Sequence, residues 1–195
     1  MSQDAGLASG SVFPLGTTTN TFTVSDGAGN TASCSFNVTV NDTENPSIVC
    51  PGDIVANNDA GNCSAVVTYT PPTGIDNCPG ASTAQTTGLG SGATFPVGTT
   101  VEAYQVTDGA GNMANCSFNI TVNDAEDPTI VCPADITVGN DAGQCSAVVS
   151  YTAPTGTDNC PGATTALSSG LGSGGTFPVG TSVETYTVTD AAGNT

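Results

Sequence analysis

The sequence has no lysine, no arginine, no histidine and no tryptophan in 195 residues. Seventeen carboxylates stand without a cationic side chain to offset them, and the formal charge is −17. Nucleic acid is excluded as a partner, because protein cations must neutralise its phosphates. Anionic membrane surfaces, which attract basic segments, are excluded on the same ground. The commonest catalytic base, the Schiff-base amine and the phosphate-clamping guanidinium are all missing. So are the histidine-containing zinc sites. No apolar run approaches the roughly 18 residues of a membrane helix, so membrane insertion is not expected. The opening MSQDAGLASG lacks the basic and apolar regions of an export signal.

The residues that are present belong to an ordered β protein. Apolar residues make up 37% and charged residues only 9%, so charge is not accompanied by the low hydrophobicity of a disordered chain. The surface is polar through Thr, Ser, Asn and Gly. Eight cysteines in such a chain point to disulfides and an oxidising compartment. A disulfide protein without an export signal reads as a mature piece or a fragment.

The chain repeats itself at a spacing of 82 residues without a gap. NDTENPSIVCPGDI (41–54) returns as NDAEDPTIVCPADI (123–136), and TFPVGT occurs at 94–99 and 176–181. Cys34, Cys50, Cys63 and Cys78 map onto Cys116, Cys132, Cys145 and Cys160. The expected domains are residues 1–41, the back half of a repeat; 42–123, a complete repeat; and 124–195, a repeat without its last strand.

Local patterns are all β. Strands are expected at about Ser47–Val55 (A), Cys63–Thr70 (B), Thr83–Thr87, TFPVG, Val101–Thr107 (F) and Ala114–Val122 (G). In strand G, Cys116, Phe118, Ile120 and Val122 alternate with Asn115, Ser117, Asn119 and Thr121, which gives one packed face and one wet face. DGAGN (26–30 and 108–112) joins strand to strand and reads as a hairpin turn, not as a phosphate loop. Short strands with regular turn signals predict an all-β fold of tandem immunoglobulin-like β-sandwiches. The core is thin, so disulfides are expected to add stability.

IVCP, GNCSAVVTYTPPTGIDNCPG, TFPVGTT, VTDGAGN and CSFNITVND together cover essentially the whole chain, and in them it resembles the HYR (hyalin repeat) domain. The resemblance implies immunoglobulin-like extracellular modules in tandem, found in adhesion, matrix and bacterial surface proteins. It implies adhesion or structure and no enzymatic activity.

In an immunoglobulin-like sandwich strands A and G run parallel, so Cys50 and Cys116, at their starts, are expected to pair. Cys63–Cys78 and Cys145–Cys160 then follow by elimination, with Cys50–Cys78 and Cys63–Cys116 as the rival scheme. Cys34 and Cys132 are left over. One lies on a G strand without an A strand, the other on an A strand without a G strand, which makes them candidates for a disulfide between units.

Asp42, Glu44, Asp124, Glu126 and Asp127 sit at the repeat junctions, with Asp108 and Asp190 in nearby turns, and could offer oxygens to calcium. Acids in Gly-rich sequence are also ordinary turn formers, and no cofactor is required. Sequons occur at Asn37, Asn41, Asn62, Asn115 and Asn119. The acids lie in turns and linkers, so no glycosidase-type carboxylate pair across a cleft is expected.

The expectation for function is an extracellular structural protein. Its repeats line up end to end and associate head to tail, and a G strand such as 31–41 completes the last sandwich of a neighbour. The alternative is the stalk of a cell-surface adhesin whose binding module lies elsewhere. A glycan-binding accessory module is the third reading, and the few aromatics give it little to bind with.

Overall fold

The computed structural model describes all 195 residues, and every regular element is a β-strand. The strands are β1 (Ser2–Ala5), β2 (Gly16–Ser25), β3 (Thr31–Val40), β4 (Ile54–Asn57), β5 (Ser64–Val66), β6 (Ser82–Thr87), β7 (Thr94–Pro96), β8 (Gly98–Thr107), β9 (Met113–Asn123), β10 (Ser146–Val149), β11 (Thr164–Ser169), β12 (Gly175–Pro178) and β13 (Thr185–Thr189). No helix is long and apolar enough to cross a membrane.

The central repeat is a β-sandwich. One sheet has the order β4-β9-β8-β6, and a second pairs β5 with β7. Alternation decides which side chains meet between them. Phe118, Ile120 and Val122 of β9 are buried with Tyr104 and Val106 of β8, and Ala65, Val67 and Phe95 are buried from the β5-β7 side. Tyr69 meets Phe118 edge to face, with ring centroids 5.0 Å apart, an arrangement aromatic quadrupoles favour.

Strand A differs from its expected form. Ser47 bridges to Ile75, and only Ile54–Asn57 forms β4, which runs parallel to β9 with Ile54 opposite Ile120. Pro51 stands between the two parts, and its missing N–H cannot continue a ladder. Strand B is also shorter than expected, at Ser64–Val66. Beyond it Tyr69 N–H donates to Ser91 Oγ at 2.8 Å instead of to a strand partner.

The chain divides into two compact units. The first comprises Met1–Cys50, Pro72–Thr86 and Tyr104–Cys116; the second comprises Pro51–Pro71, Thr87–Ala103 and Ser117–Thr195. The first contains a three-stranded sheet, β1-β2-β3, whose β2 and β3 pair over their whole length from Gly16↔Val40 to Ser25↔Thr31. The second contains the third repeat, with sheets β10-β12 and β11-β13. Here the segment 136–139, which corresponds to β4, forms no strand. In the central repeat that strand leans on β9, and β13 has no β9-type neighbour.

Candidate assembly site at the repeat junction

Cys50 and Cys116 form a disulfide, with Cα atoms 5.6 Å apart. In the chain-entropy model a loop of 66 residues closed this way contributes about 4 kcal/mol. Cys63 departs from expectation. It bonds Cys160 of the following repeat, with Cα atoms 4.8 Å apart, and not Cys78. Elimination assumed that pairing stays within a repeat, and the turn before β5 shows why it does not. Asn58 Nδ2 donates to Asn62 O at 3.0 Å, and Val66 N–H donates to Asp59 Oδ2 at 2.9 Å. The turn so shaped meets the next repeat at three places. Gly61 N–H donates to Glu126 Oε2 at 2.7 Å, Ala125 N–H to Asn58 Oδ1 at 3.0 Å, and Asn159 Nδ2 to Asn62 O at 2.9 Å. Cys63 is thereby delivered to Cys160. Cys78 and Cys145, expected in disulfides of their own repeats, are free thiols, as are Cys34 and Cys132.

The junction acids gather differently from the expected calcium set. Asp42 joins Asp76 and Cys78, and Asp124 joins Asp158 and Cys160, each group holding its ligand atoms within 4.8 Å. Two carboxylates and a sulfur fall short of the six to eight oxygens calcium takes, and the Cys160 sulfur is committed to its disulfide. Asp158 Oδ1 is buried without a hydrogen-bond partner. Glu44 accepts from Asn77 Nδ2 at 2.9 Å, Glu126 is engaged by Gly61, and Asp127 is exposed. Burial, the Asp42 hydrogen bond and the charges of Asp42, Asp76 and Asp108 push the Cys78 thiol above its ordinary value. Asp76 and Asp158 were legible in principle, as acids recurring at the repeat spacing before NCPG.

Asp108 and Asp190 serve their hairpin turns. Asp108 Oδ1 accepts from the N–H groups of Ala110, Gly111 and Asn112, and Oδ2 accepts from Asn112 Nδ2. Burial opposes the charged form, and the Asn112 side chain with these N–H groups outweighs it, so the carboxyl lies below its ordinary value. Gly111 takes φ +96° in this turn, which favours glycine.

One acid contradicts the expectation that all lie in turns and linkers. Glu102 is fully buried on β8, and its counterpart one period later, Glu184, is half-buried just before β13. Glu102 accepts from Leu89 N–H at 2.7 Å, Gly90 N–H at 3.1 Å and the Tyr69 hydroxyl at 2.8 Å. Glu184 accepts from Leu171 and Gly172 N–H, both at 2.7 Å, and from the Tyr151 hydroxyl at 2.9 Å. The hydrogen bond with Tyr186, burial and Glu184 push the Tyr151 hydroxyl well above its ordinary value. These carboxylates hold loops in place. Asn20 stands at the same position in the first repeat and accepts from Leu7 N–H at 2.8 Å.

The sequons lie in the first and central repeats. Asn37 and Asn115 are hydrogen-bonded across their sheets to Thr19 and Gln105, and Asn119 Nδ2 donates to Asp53 at 3.2 Å. Asn62 lies in the junction turn, and Asn41 is exposed in the linker.

Immunoglobulin-type β-sandwiches in tandem, with a disulfide from one repeat to the next, define the class. The chain belongs to the HYR domain family, whose model matches residues 2–40, 41–122 and 123–195. It is 37% identical over 193 residues to hyalin of Strongylocentrotus purpuratus, covering 96% of this chain and 16% of that protein. It is 37% identical over 190 residues to hyalin of Lytechinus variegatus, covering 95% of this chain and 35% of that protein. A Rattus norvegicus protein with sushi, von Willebrand factor type A, EGF and pentraxin domains is 36% identical over 157 residues, or 78% of this chain and 4% of that one. The chain thus spans well under two thirds of these relatives. Among solved structures, the protocadherin gammaB7 EC3-6 cis-dimer is a distant likeness, with TM-score 0.34 and 16% identity over 89% of this chain and 54% of that one. The chain is a hyalin-like, extracellular or cell-surface repeat protein.

Proposed function

We propose that the chain is a structural module whose HYR sandwiches join end to end into an extracellular fibre. The third sandwich is completed by a G-type strand such as residues 31–41 of the next unit. The observation that carries this reading is a pair of matching open edges. Segment 136–139, which corresponds to β4, has no strand partner. β3 pairs on one side only, with β2. A shallow apolar hollow of about 180 Å³, lined by Phe22, Val24, Ala32 and Cys34 among others, lies on the β2-β3 sheet. Each end offers what the other lacks, and an unpaired edge is a template for a strand from elsewhere.

Because β1, β2 and β3 form one sheet, the incoming sheet takes the place of β11 and β13, an exchange of like strand for like. Cys34 then reaches Cys132 as Cys116 reaches Cys50. The contact is head to tail, so it propagates instead of closing. Calcium has no part in the reading, nor has catalysis.

The purified chain, concentrated under a glutathione redox buffer, is expected to form filaments visible by negative-stain electron microscopy. Phe36→Asp on β3 is expected to abolish them. A chain that stays monomeric at high concentration overturns the reading. A second reading rests on the small share of the hyalins that the chain spans. In it the same edges are closed by neighbouring repeats of one longer polypeptide, and the array is an adhesin stalk.

A further inference from the structure

The junction holding Cys63 to Cys160 is built from paired groups, and this chain carries a second, unmatched set of each kind. On the turn side, Asn58, Gly61, Asn62 and Cys63 recur one period later as Asn140, Gly143, Gln144 and Cys145. On the receiving side, Ala125, Glu126, Asn159 and Cys160 recur one period earlier as Thr43, Glu44, Asn77 and Cys78. Resting on the head-to-tail reading above, we propose that the Asn140–Cys145 turn of one chain docks beside Cys78 of a second copy and that Cys145 and Cys78 form a disulfide there.

The turn is already shaped for it. Asp141 N–H donates to Ser146 O at 2.8 Å, as Asp59 does to Ser64 O at 2.7 Å. Asn140 Nδ2 donates to Gln144 O at 2.7 Å, as Asn58 does to Asn62 O at 3.0 Å. Val148 N–H donates to Asp141 Oδ2 at 3.0 Å, as Val66 does to Asp59 at 2.9 Å. A preformed turn binds without paying again for its ordering. Gln144 in place of Asn62 changes nothing essential, because the bonded atom is the main-chain oxygen.

The receiving side is open. A cleft of about 560 Å³ borders Cys78 and is lined by Leu15, Val40, Asp42, Pro79 and Gly109 among others. At the corresponding place beside Cys160 stand Asn62 and Cys63. The side chains that correspond to Glu126 and Asn159 are engaged differently. Glu126 takes its hydrogen bond from Gly61 and Asn159 gives its own to Asn62 O, whereas Glu44 and Asn77 bond each other at 2.9 Å. Cys145 is exposed and Cys78 half-buried, both as free thiols. One register serves two bonds. Setting residue n of the second copy at position n + 164, two periods on, brings Cys78 to Cys145 and Cys34 to Cys132 together.

The chemistry needs a disulfide oxidant of the glutathione type. The Cys145 thiolate attacks it, forming a mixed disulfide and releasing one thiolate. Cys78 then gives up its proton, and its sulfur displaces the second thiolate. Two protein thiols are oxidised to one disulfide, and the oxidant is reduced to two thiols.

The test uses the whole chain, mixed as isotope-heavy and light copies, oxidised with glutathione disulfide and digested without reduction. Trypsin has no site, whereas cleavage before aspartate places each of the eight cysteines on its own peptide. The expected result is a Cys78–Cys145 peptide pair in which half the molecules are heavy–light hybrids. Glu44→Ala with Asn77→Ala, which leaves both thiols in place, is expected to slow its formation several-fold, and Cys78→Ser to abolish it. Peptide pairs Cys63–Cys78 and Cys145–Cys160 would overturn the proposal, as would Cys78–Cys145 pairs without hybrids. Filaments that form with Cys78 and Cys145 still alkylatable would overturn it while leaving the fibre reading intact. Absence of both filaments and hybrids would overturn both.

Discussion

Phe36 in the first repeat and Phe118 in the central repeat hold the same place in the 82-residue period. They lie on matching strands, β3 and β9, next to matching partners on β2 and β8. Phe118 is 3% exposed and Phe36 is 53% exposed. Val106 and Val24 differ in the same way, at 0% and 49%. The strands alone therefore do not make a core. In the central repeat, cover comes from residues earlier in the period: Tyr69 sets its ring edge on Phe118, and Gly74 lies so close to Val106 that a Cβ there would come within 2.4 Å of it. The first repeat has no such segment over β3, and Phe36 stacks on Phe22 instead, with centroids 6.1 Å apart. Strand pairing and core cover are thus separable: β2 and β3 pair fully although Phe36 and Val24 stay exposed.

The largest effect that can break this comparison is truncation of the two phenylalanines. Phe118→Ala removes a buried ring and leaves a cavity, and is expected to cost about 3–5 kcal/mol in urea unfolding. Phe36→Ala, at an exposed site, is expected to stay within about 1 kcal/mol in the isolated chain. Similar costs at both sites would mean that the first repeat has a core of its own.

A middle-sized effect comes from Gly74→Ala. Its Cβ would fall on the Val106 side chain, and overpacking of this kind costs about 1–3 kcal/mol. A Cβ on Gly156 would likewise fall on the Val188 side chain, so Gly156→Ala should destabilise the third repeat alike. The cost is read in thermal unfolding, and a neutral outcome at either glycine would show that the front half can shift away from the F strand.

A similar cost is expected at Glu102. Glu102→Gln turns one acceptor oxygen into a donor facing the Leu89 and Gly90 N–H groups and the Tyr69 hydroxyl, at about 1–3 kcal/mol. The first repeat already carries an amide at this position, Asn20, and its Nδ2 is buried without a partner. The substitution thus reproduces in the central repeat the condition of the first. Unchanged urea midpoints would show that the cage relaxes around an amide.

The period, the strand alternation and the hairpin turns were legible because they are local. Ile120 and Val122 declare their side of β9 by their spacing, and Asp108 declares its turn by its place before Gly–Ala–Gly. The Cys63–Cys160 bond was not legible, because elimination treats each repeat as closed. Asn58 and Gly61 carry the information in a turn whose partners lie about 65 residues later, at Ala125 and Glu126. Glu102 escaped for a related reason. A single acid on a strand reads as a wet residue until the Leu89–Gly90 loop is seen to fold over it.

The smallest effect expected is one of acidity, and it separates Glu184 from Asn20. The backbone N–H of Leu171, with that of Gly172 and the Tyr151 hydroxyl, holds the Glu184 carboxyl below its ordinary value against the opposing pull of burial. A carboxyl with a lowered folded value adds stability above the ordinary glutamate range, and that stability is lost as pH falls through the folded value. The window therefore opens at about pH 4.3 and extends downward. Asn20 accepts the equivalent bond from Leu7 N–H and has no proton to gain. Acidification also relieves the mutual repulsion of 17 carboxylates, but that change acts on the whole chain. Comparing two amides of one molecule removes it. Hydrogen exchange, corrected for intrinsic rates, should show Leu171 losing protection below about pH 4 while Leu7 holds its own. Parallel behaviour of the two amides would mean that the loop over Glu184 does not depend on its charge.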